Sequence, residues 1–269
     1  MQKEKITVKG KKVNIGIKNP GGKKAIILVH GLGSSHMTLE KLAGRINLKD
    51  HKVIVFDLPG HYLSEKLDKE HNIDNYAKFL NDFITELEIK KCTVLGHCLG
   101  AQIAINFENR YPEKVEKLIL ITPIPNKVYA SGIFASLYYL IALALPKPLK
   151  RGWLVNMRKI IKHFAYMHDD IQMKSLIDKM TKKEIKRLNE DVITQGFKSI
   201  LNDKTKELIA KTRAKTYIII SEKDFVFPAK EIVRMYKKIP QVKFEILPKE
   251  GHLLVLDSPE KVAMKINKW

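Results

Sequence analysis

The spacing of apolar and polar positions changes several times along the chain, and each change marks an element. The N-terminal stretch ITVKGKKVNIGI, residues 6–17, alternates around a break at Lys9–Lys12, the pattern of a β-hairpin. Two short, nearly continuous apolar runs follow, AIILVH at 25–30 and VIVFD at 53–57. Such runs belong to strands buried on both faces of a parallel sheet. Between them, Met37–Leu48 fits a helix. From Asp74 to Ile89 the period is plain: Tyr76, Phe79, Leu80, Phe83, Ile84 and Leu87 recur at three-and-four spacing, one apolar stripe on a helix. CTVLGH at 92–97 reads as a buried strand, the AQIAINFENRY after it as a helix, and LILIT at 118–122 as a strand.

The alternation stops at TPIPN, residues 122–126. From there to about Thr212 the chain reads as helical, with almost no strand signal. Strand pattern returns at TYIIIS (216–221), followed by a helix at Ala229–Ile239, a strand KFEIL (243–247) and a last helix at Ser258–Trp269. Ser258, Pro259 and Glu260 supply an N-cap, a first-turn proline and a first-turn acid. Strands alternating with helices predict an α/β fold, a mostly parallel sheet with right-handed crossovers and flanking helices. The helical block within it predicts a cap: core at 1–125 and 206–269, cap at 126–205.

Composition narrows the setting. A hydrophobic fraction of 45% over 269 residues suits one large domain with an insertion. The two cysteines, Cys92 and Cys98, lie on one predicted strand about 20 Å apart, too far to bridge. Free thiols suit a reducing, cytoplasmic setting. The N-terminus is charged and lacks the apolar segment of a secretory signal. The longest apolar run, Ile133–Leu145, is shorter than the roughly 20 residues that span a bilayer, so a buried or interfacial helix is expected. The net charge of +20 would attract anions, either an acidic substrate or an anionic membrane surface at which the protein docks peripherally. The plainer reading is a solvated lysine coat. No basic stripe interleaved with aromatics occurs, so nucleic acid is not an expected partner.

Chemistry enters at VLGHCLGA, residues 94–101. Strand, sharp turn and helix around a G-x-nucleophile-x-G core make a nucleophile elbow, with Cys98 at the centre. Glycines at 96 and 100 let neighbouring backbone approach, and the helix N-terminus offers N–H groups and partial positive charge. That environment, with a histidine close by, favours the nucleophilic thiolate form. HGLGSS (30–35) directly follows a buried strand. SEKDFVFP places Asp224 after another, and EGHLLVLDSP places His252 on the loop after the last. Nucleophile, acid and histidine thus fall in the chain order of α/β-hydrolases.

On these pieces, with DLPGH at 57–61, the sequence resembles the α/β-hydrolase superfamily, in its capped branch of esterases, thioesterases and C–C hydrolases. The resemblance covers roughly 1–125 and 206–269. It implies Cys98 as nucleophile, His252 as general base and then acid, and Asp224 as the residue that orients His252. The backbone N–H groups of Leu32 and Leu99 would form the oxyanion hole. Gly31, His97, Phe134 and Tyr138 would line the pocket for a small acyl substrate. No cofactor is implied. No His, Cys, Asp and Glu spacing suggests a metal site, and HGLGSS lacks the lysine and glycine spacing of a phosphate loop. The chain departs from the family where Cys98 replaces serine and where Tyr62 and Ala101 replace glycines.

Structural readings stand beside these. A buried cysteine is often a small hydrophobe. His97 reads as well as a packing and hydrogen-bonding residue, His30 as a tie for the oxyanion loop, and Asp57 as a loop anchor. His36 and His61 are either pocket-lining or structural. Glu222 rivals Asp224 for the acid.

Cysteine alters the expected substrate. A thiolate attacks carbonyls well but also leaves well, so alkyl esters would tend to revert. Thioesters, enol or aryl esters and strained lactones are the expected substrates. The apolar run at 133–145 and the excess of Lys and Arg over Asp and Glu in 126–212 (17 against 8) suit an apolar acyl chain with an anionic head. An acyltransferase with the same residues, a ligand-binding homologue without turnover and a membrane-associated lipid binder are the alternatives.

Overall fold

The computed structural model describes residues 1–125, 171–224 and 226–269, with the isolated positions 145, 149, 152, 155 and 156. Its strands are β1 (Gln2–Val8), β2 (Lys11–Lys18), β3 (Lys24–Val29), β4 (His51–Phe56), β5 (Cys92–His97), β6 (Val115–Ile121), β7 (Lys215–Ser221) and β8 (Val242–Leu247). They form one sheet in the order β1-β2-β4-β3-β5-β6-β7-β8. β1 and β2 pair antiparallel, as do β2 and β4, and all other neighbours are parallel. The β1–β2 turn puts Lys9 and Gly10 at φ 47° and 78°, the left-handed pair that matches the twist of a hairpin.

The helices are α1 (His36–Arg45), α2 (Ile73–Glu86), α3 (Leu99–Arg110), α4 (Ile171–Lys186), α5 (Glu190–Leu201), α6 (Thr205–Leu208), α7 (Ala229–Tyr236), α8 (Leu254–Asp257) and α9 (Pro259–Asn267). This is the α/β-hydrolase architecture that the alternation predicts. Period-two alternation sorts the central strands onto two faces. Ile27, Val29, Val94 and Leu120 share one core cluster with Tyr76 and Phe83 of α2 and Phe107 of α3. Ile26, Leu28, Leu95 and Ile119 share the other with Leu39 and Leu42 of α1 and Val262 and Ile266 of α9. Each such fully buried side chain contributes about 1.5–3 kcal/mol.

Several local readings differ from expectation, the expected C-terminal ends of α2 (Ile89) and α7 (Ile239) each lying three residues beyond the observed ones. α1 ends at Arg45 rather than Leu48, because Ile46 turns extended, with its N–H still bonded to Leu42 O. Ser258 does not cap α9: its hydroxyl donates to Glu250 Oε2 at 2.8 Å instead. The short α8 lies ahead of it, too brief to show a period. Between β6 and β7 the described chain is helical, in α4, α5 and α6. Phe134, Tyr138 and, apart from Leu145, the run 133–145 lie outside the described residues. No described helix is long and apolar enough to cross a membrane.

Candidate active site

β5 runs beside β6 with His97 opposite Ile121, and the Cys98 N–H donates to Ile121 O at 3.1 Å. The chain then turns at Cys98, at φ 54° and ψ −118°, and α3 begins at the next residue. A non-glycine residue held there costs on the order of 1–3 kcal/mol, which the surrounding contacts must offset. Those contacts are backbone to backbone. A Cβ on Gly96 would lie 2.2 Å from Gly100 O, and one on Gly100 would lie 2.1 Å from Val29 O. The turn leaves the Cys98 side chain half-buried and free of any capping bond.

The loop after β3 abuts this elbow. A Cβ on Gly31 would lie 3.2 Å from Cys98 Cβ and 3.7 Å from its Sγ. His30, fully buried, ties the loop: its Nε2 accepts the Leu58 N–H at 3.0 Å, so its Nδ1 carries the proton and donates to Gly31 O at 2.8 Å. Leu32 follows, and Leu99, the first residue of α3, presents an N–H that has no acceptor within its helix.

Asp224 leaves the end of β7 and is buried. Its Oδ1 accepts the N–H groups of Val226 and Phe227 at 2.8 and 2.9 Å. Its Oδ2 faces His252 Nδ1 at 2.8 Å. Cys98 is close enough to the same ring to raise its proton affinity, while Asp224 occupies Nδ1. Burial alone would lower the His252 proton affinity. The Asp224 charge and hydrogen bond, followed by the nearness of Cys98, outweigh it and raise the imidazole to about 10. Phe227 packs edge-on against the ring at 5.1 Å.

His97 lies beneath. It is buried, and its Nε2–H donates to His252 O at 3.1 Å, which fixes the backbone of the base. Burial, then the neighbouring positive charge of His252, push it down to about 3, so it is neutral. Its geometry is that of the packing and hydrogen-bonding residue rather than an open pocket wall. Asp57 is an anchor: it accepts the His36 N–H at 2.7 Å, pairs with His36 Nδ1 at 2.9 Å and accepts Asn14 Nδ2 at 2.9 Å. His61 is buried with its ring 5.2 Å from His30. Glu222 is exposed and accepts the Lys249 N–H at 2.9 Å, away from His252. Tyr62 sits at φ 44°, a conformation that favours the glycine usual there. Cys92 is buried, and burial followed by the Glu116 charge pushes its thiol up to about 12. Among the described residues no group of three or more His, Cys, Asp or Glu could hold a metal ion.

One network escaped the sequence reading. Gln102 on the elbow helix donates from Nε2 to Tyr236 OH at 2.8 Å and to Ile124 O at 3.0 Å, and Tyr236 OH donates to Ile124 O at 2.7 Å. It pins the chain leaving β6 to the first turn of α3. A polar residue amid the apolar run AQIAI was its only signal.

The profile of the alpha/beta hydrolase fold matches residues 24–259. The chain is 25% identical over 257 residues to the uncharacterized hydrolase YugF of Bacillus subtilis, covering 92% of this chain and 90% of that one. It is 21% identical over 244 residues to the karrikin insensitive 2 receptor IA of Petunia hybrida, covering 89% and 87%. The solved structure of a thermophilic esterase from Thermogutta terrifontis matches with a TM-score of 0.81 at 21% identity, over 100% of this chain and 98% of the esterase. With the profile spanning most of its length, the chain belongs to the alpha/beta hydrolase fold family.

Proposed function

We propose that the protein hydrolyses ester or thioester bonds through a Cys98–His252–Asp224 triad and an acyl-enzyme. One observation carries the reading: His252 pairs with the buried Asp224 carboxylate at 2.8 Å and is near enough to Cys98, at the tip of the elbow, for the two to interact. With Asp224 Oδ1 held by two N–H groups, Oδ2 stays aimed at Nδ1 and keeps Nε2 toward the sulfur. The raised proton affinity of His252 suits the imidazolium partner of a thiolate.

Thiolate attack forms the S–C bond, and the carbonyl π pair moves to oxygen, toward the N–H groups of Leu32 and Leu99. Collapse breaks the bond to the leaving group, which takes its proton from His252. Neutral His252 then removes a proton from water as the water oxygen bonds the acyl carbon. Collapse of that adduct releases the carboxylic acid and returns the thiolate, with the proton on His252. Because thiolate is itself a good leaving group, substrates whose own leaving group is comparable are favoured. A small-molecule substrate with an apolar acyl group suits the apolar run at 133–145.

The Petunia receptor, aligned over 87% of its length, supports a second reading: ligand binding without turnover. Steady-state hydrolysis of matched acyl thioesters and alkyl esters separates them. The expected result is turnover with thioester preference, lost in Cys98→Ala. Binding without turnover in the native protein would favour the receptor. Acyl transfer to an added amine or alcohol at the expense of hydrolysis would favour an acyltransferase.

A further inference from the structure

The helices inserted between β6 and β7 meet the core at a place the triad leaves unexplained. Ser35 ends the loop that runs from Gly31 through Leu32, and it is fully buried. Its Oγ accepts the Met37 N–H as the N-cap of α1 and donates to Glu184 Oε1 at 2.6 Å. Glu184 comes from the last turn of α4 and is 6% exposed. A hydroxyl–carboxylate distance of this size is that of a charge-assisted bond, here shielded from water. A second contact reaches the same loop from α5. Gly196 carries no side chain, and a Cβ there would lie 2.6 Å from Leu32 Cδ1. α5 is seated further by Gln195 Oε1 and Ser199 Oγ, which accept the His71 and Ile73 N–H groups at 2.8 and 2.9 Å. Arg187, just past α4, lies over the Tyr62 ring at 5.7 Å.

On its core side the loop is fixed at both ends, at Gly31 by His30 and at His36 by Asp57. Between them Leu32 and Ser35 are the points that the inserted helices hold. We infer that Glu184 is a positioning residue: by holding Ser35 it sets the direction of the Leu32 N–H, so that the seat of α4 and α5 determines the geometry of the oxyanion site. The inference rests on the reading of Leu32 as an oxyanion donor, but the mechanical coupling it requires is measurable without substrate.

The test combines amide hydrogen exchange over residues 31–37 with single-turnover acylation by an aryl ester, on the full chain. Glu184→Ala and Ser35→Ala should each speed exchange in this segment about tenfold or more, with distant strands unchanged. Each should lower the acylation rate constant about tenfold or more with apparent substrate affinity little altered, and the double variant should be no worse than Ser35→Ala, which also loses the Met37 cap. Glu184→Gln keeps an acceptor oxygen for Ser35 and should recover most of both losses. If Glu184→Ala does not fold, Gly196→Ala pushes on Leu32 from the other helix and should slow acylation in the same way. Unchanged exchange at 31–37 in Glu184→Ala would overturn the coupling, whatever Ser35→Ala shows through the loss of its own cap. So would a stability loss spread evenly over the chain with the acylation rate preserved. A native protein that never acylates would refute the triad instead, and exchange alone would then decide the coupling.

Discussion

Gly100 and Val29 touch backbone to backbone across the elbow, so that a Cβ on Gly100 would lie 2.1 Å from the Val29 carbonyl oxygen. The contact presses the start of α3 onto β3 and so brings the Gly31 loop against Cys98. Gly100→Ala must separate the two and should lower stability by about 3 kcal/mol in urea unfolding. Among the described residues nothing lies within 4 Å of a Cβ on Gly44 in α1. Gly44→Ala should stabilise by about 0.5–1 kcal/mol, which separates a steric requirement from a general sensitivity to replacement of glycine.

Asp224→Asn keeps the size of the acid but removes the charge that lifts His252 to about 10. The imidazole should then lose its proton at a lower pH, and the ring is free to adopt the wrong tautomer. Turnover should fall about 10³–10⁴-fold. Titration of the His252 ring by NMR in both proteins checks the direction, and an unmoved midpoint would show that the carboxylate does not govern the base.

Asp257 has both carboxylate oxygens buried and without a partner among the described residues. Burial, then the charge of Glu250, raise its carboxyl from 3.8 to about 7. Glu250 is itself engaged by Ser258 and by Lys261, whose Nζ is 2.7 Å away. Between these two values the folded chain binds the proton that the unfolded chain has released. Stability therefore falls as pH rises through about 7, and the contribution is fully present only below 3.8. Thermal melts of native protein and Asp257→Asn from pH 4 to 8 should diverge, the variant gaining on the native protein as pH rises. Parallel curves would contradict this.

The two thiols should differ in reactivity. Cys92 is fully buried with its thiol pushed up to about 12, whereas Cys98 is half-buried beside His252. Iodoacetamide at neutral pH should add one carbamidomethyl group, at Cys98, by peptide mapping. Labelling of Cys92 in the folded state would contradict the packing described.

Much of this was legible from residue order. Runs such as IILV and LILI marked buried strands, and their alternation with helical segments such as the amphipathic stripe of α2 implied a mostly parallel sheet. The spacing of Gly96, Cys98 and Gly100 implied a strained turn, and the order Cys98, Asp224, His252 implied convergence at the strand ends. Asp224 was separable from Glu222 by its place in the loop. The rest depends on contacts between segments far apart in sequence. Ser258 matches a helix cap locally, yet Glu250 competes for its hydroxyl. Glu184 sits in a lysine-rich stretch with no motif to single it out, and only the tertiary fold brings it to Ser35, 149 residues away. Gln102 shows the same: its partners, Ile124 and Tyr236, come from other elements.

The most direct measurement is intact-mass spectrometry after rapid mixing with a panel of acyl thioesters and nitrophenyl esters, with Cys98→Ala and Cys98→Ser alongside. A working Cys98 nucleophile predicts a transient mass increase of one acyl group on the native chain, absent in Cys98→Ala. No adduct on the native protein, with Cys98→Ser gaining both adduct and turnover, would contradict it and mark Cys98 as a blocked serine site.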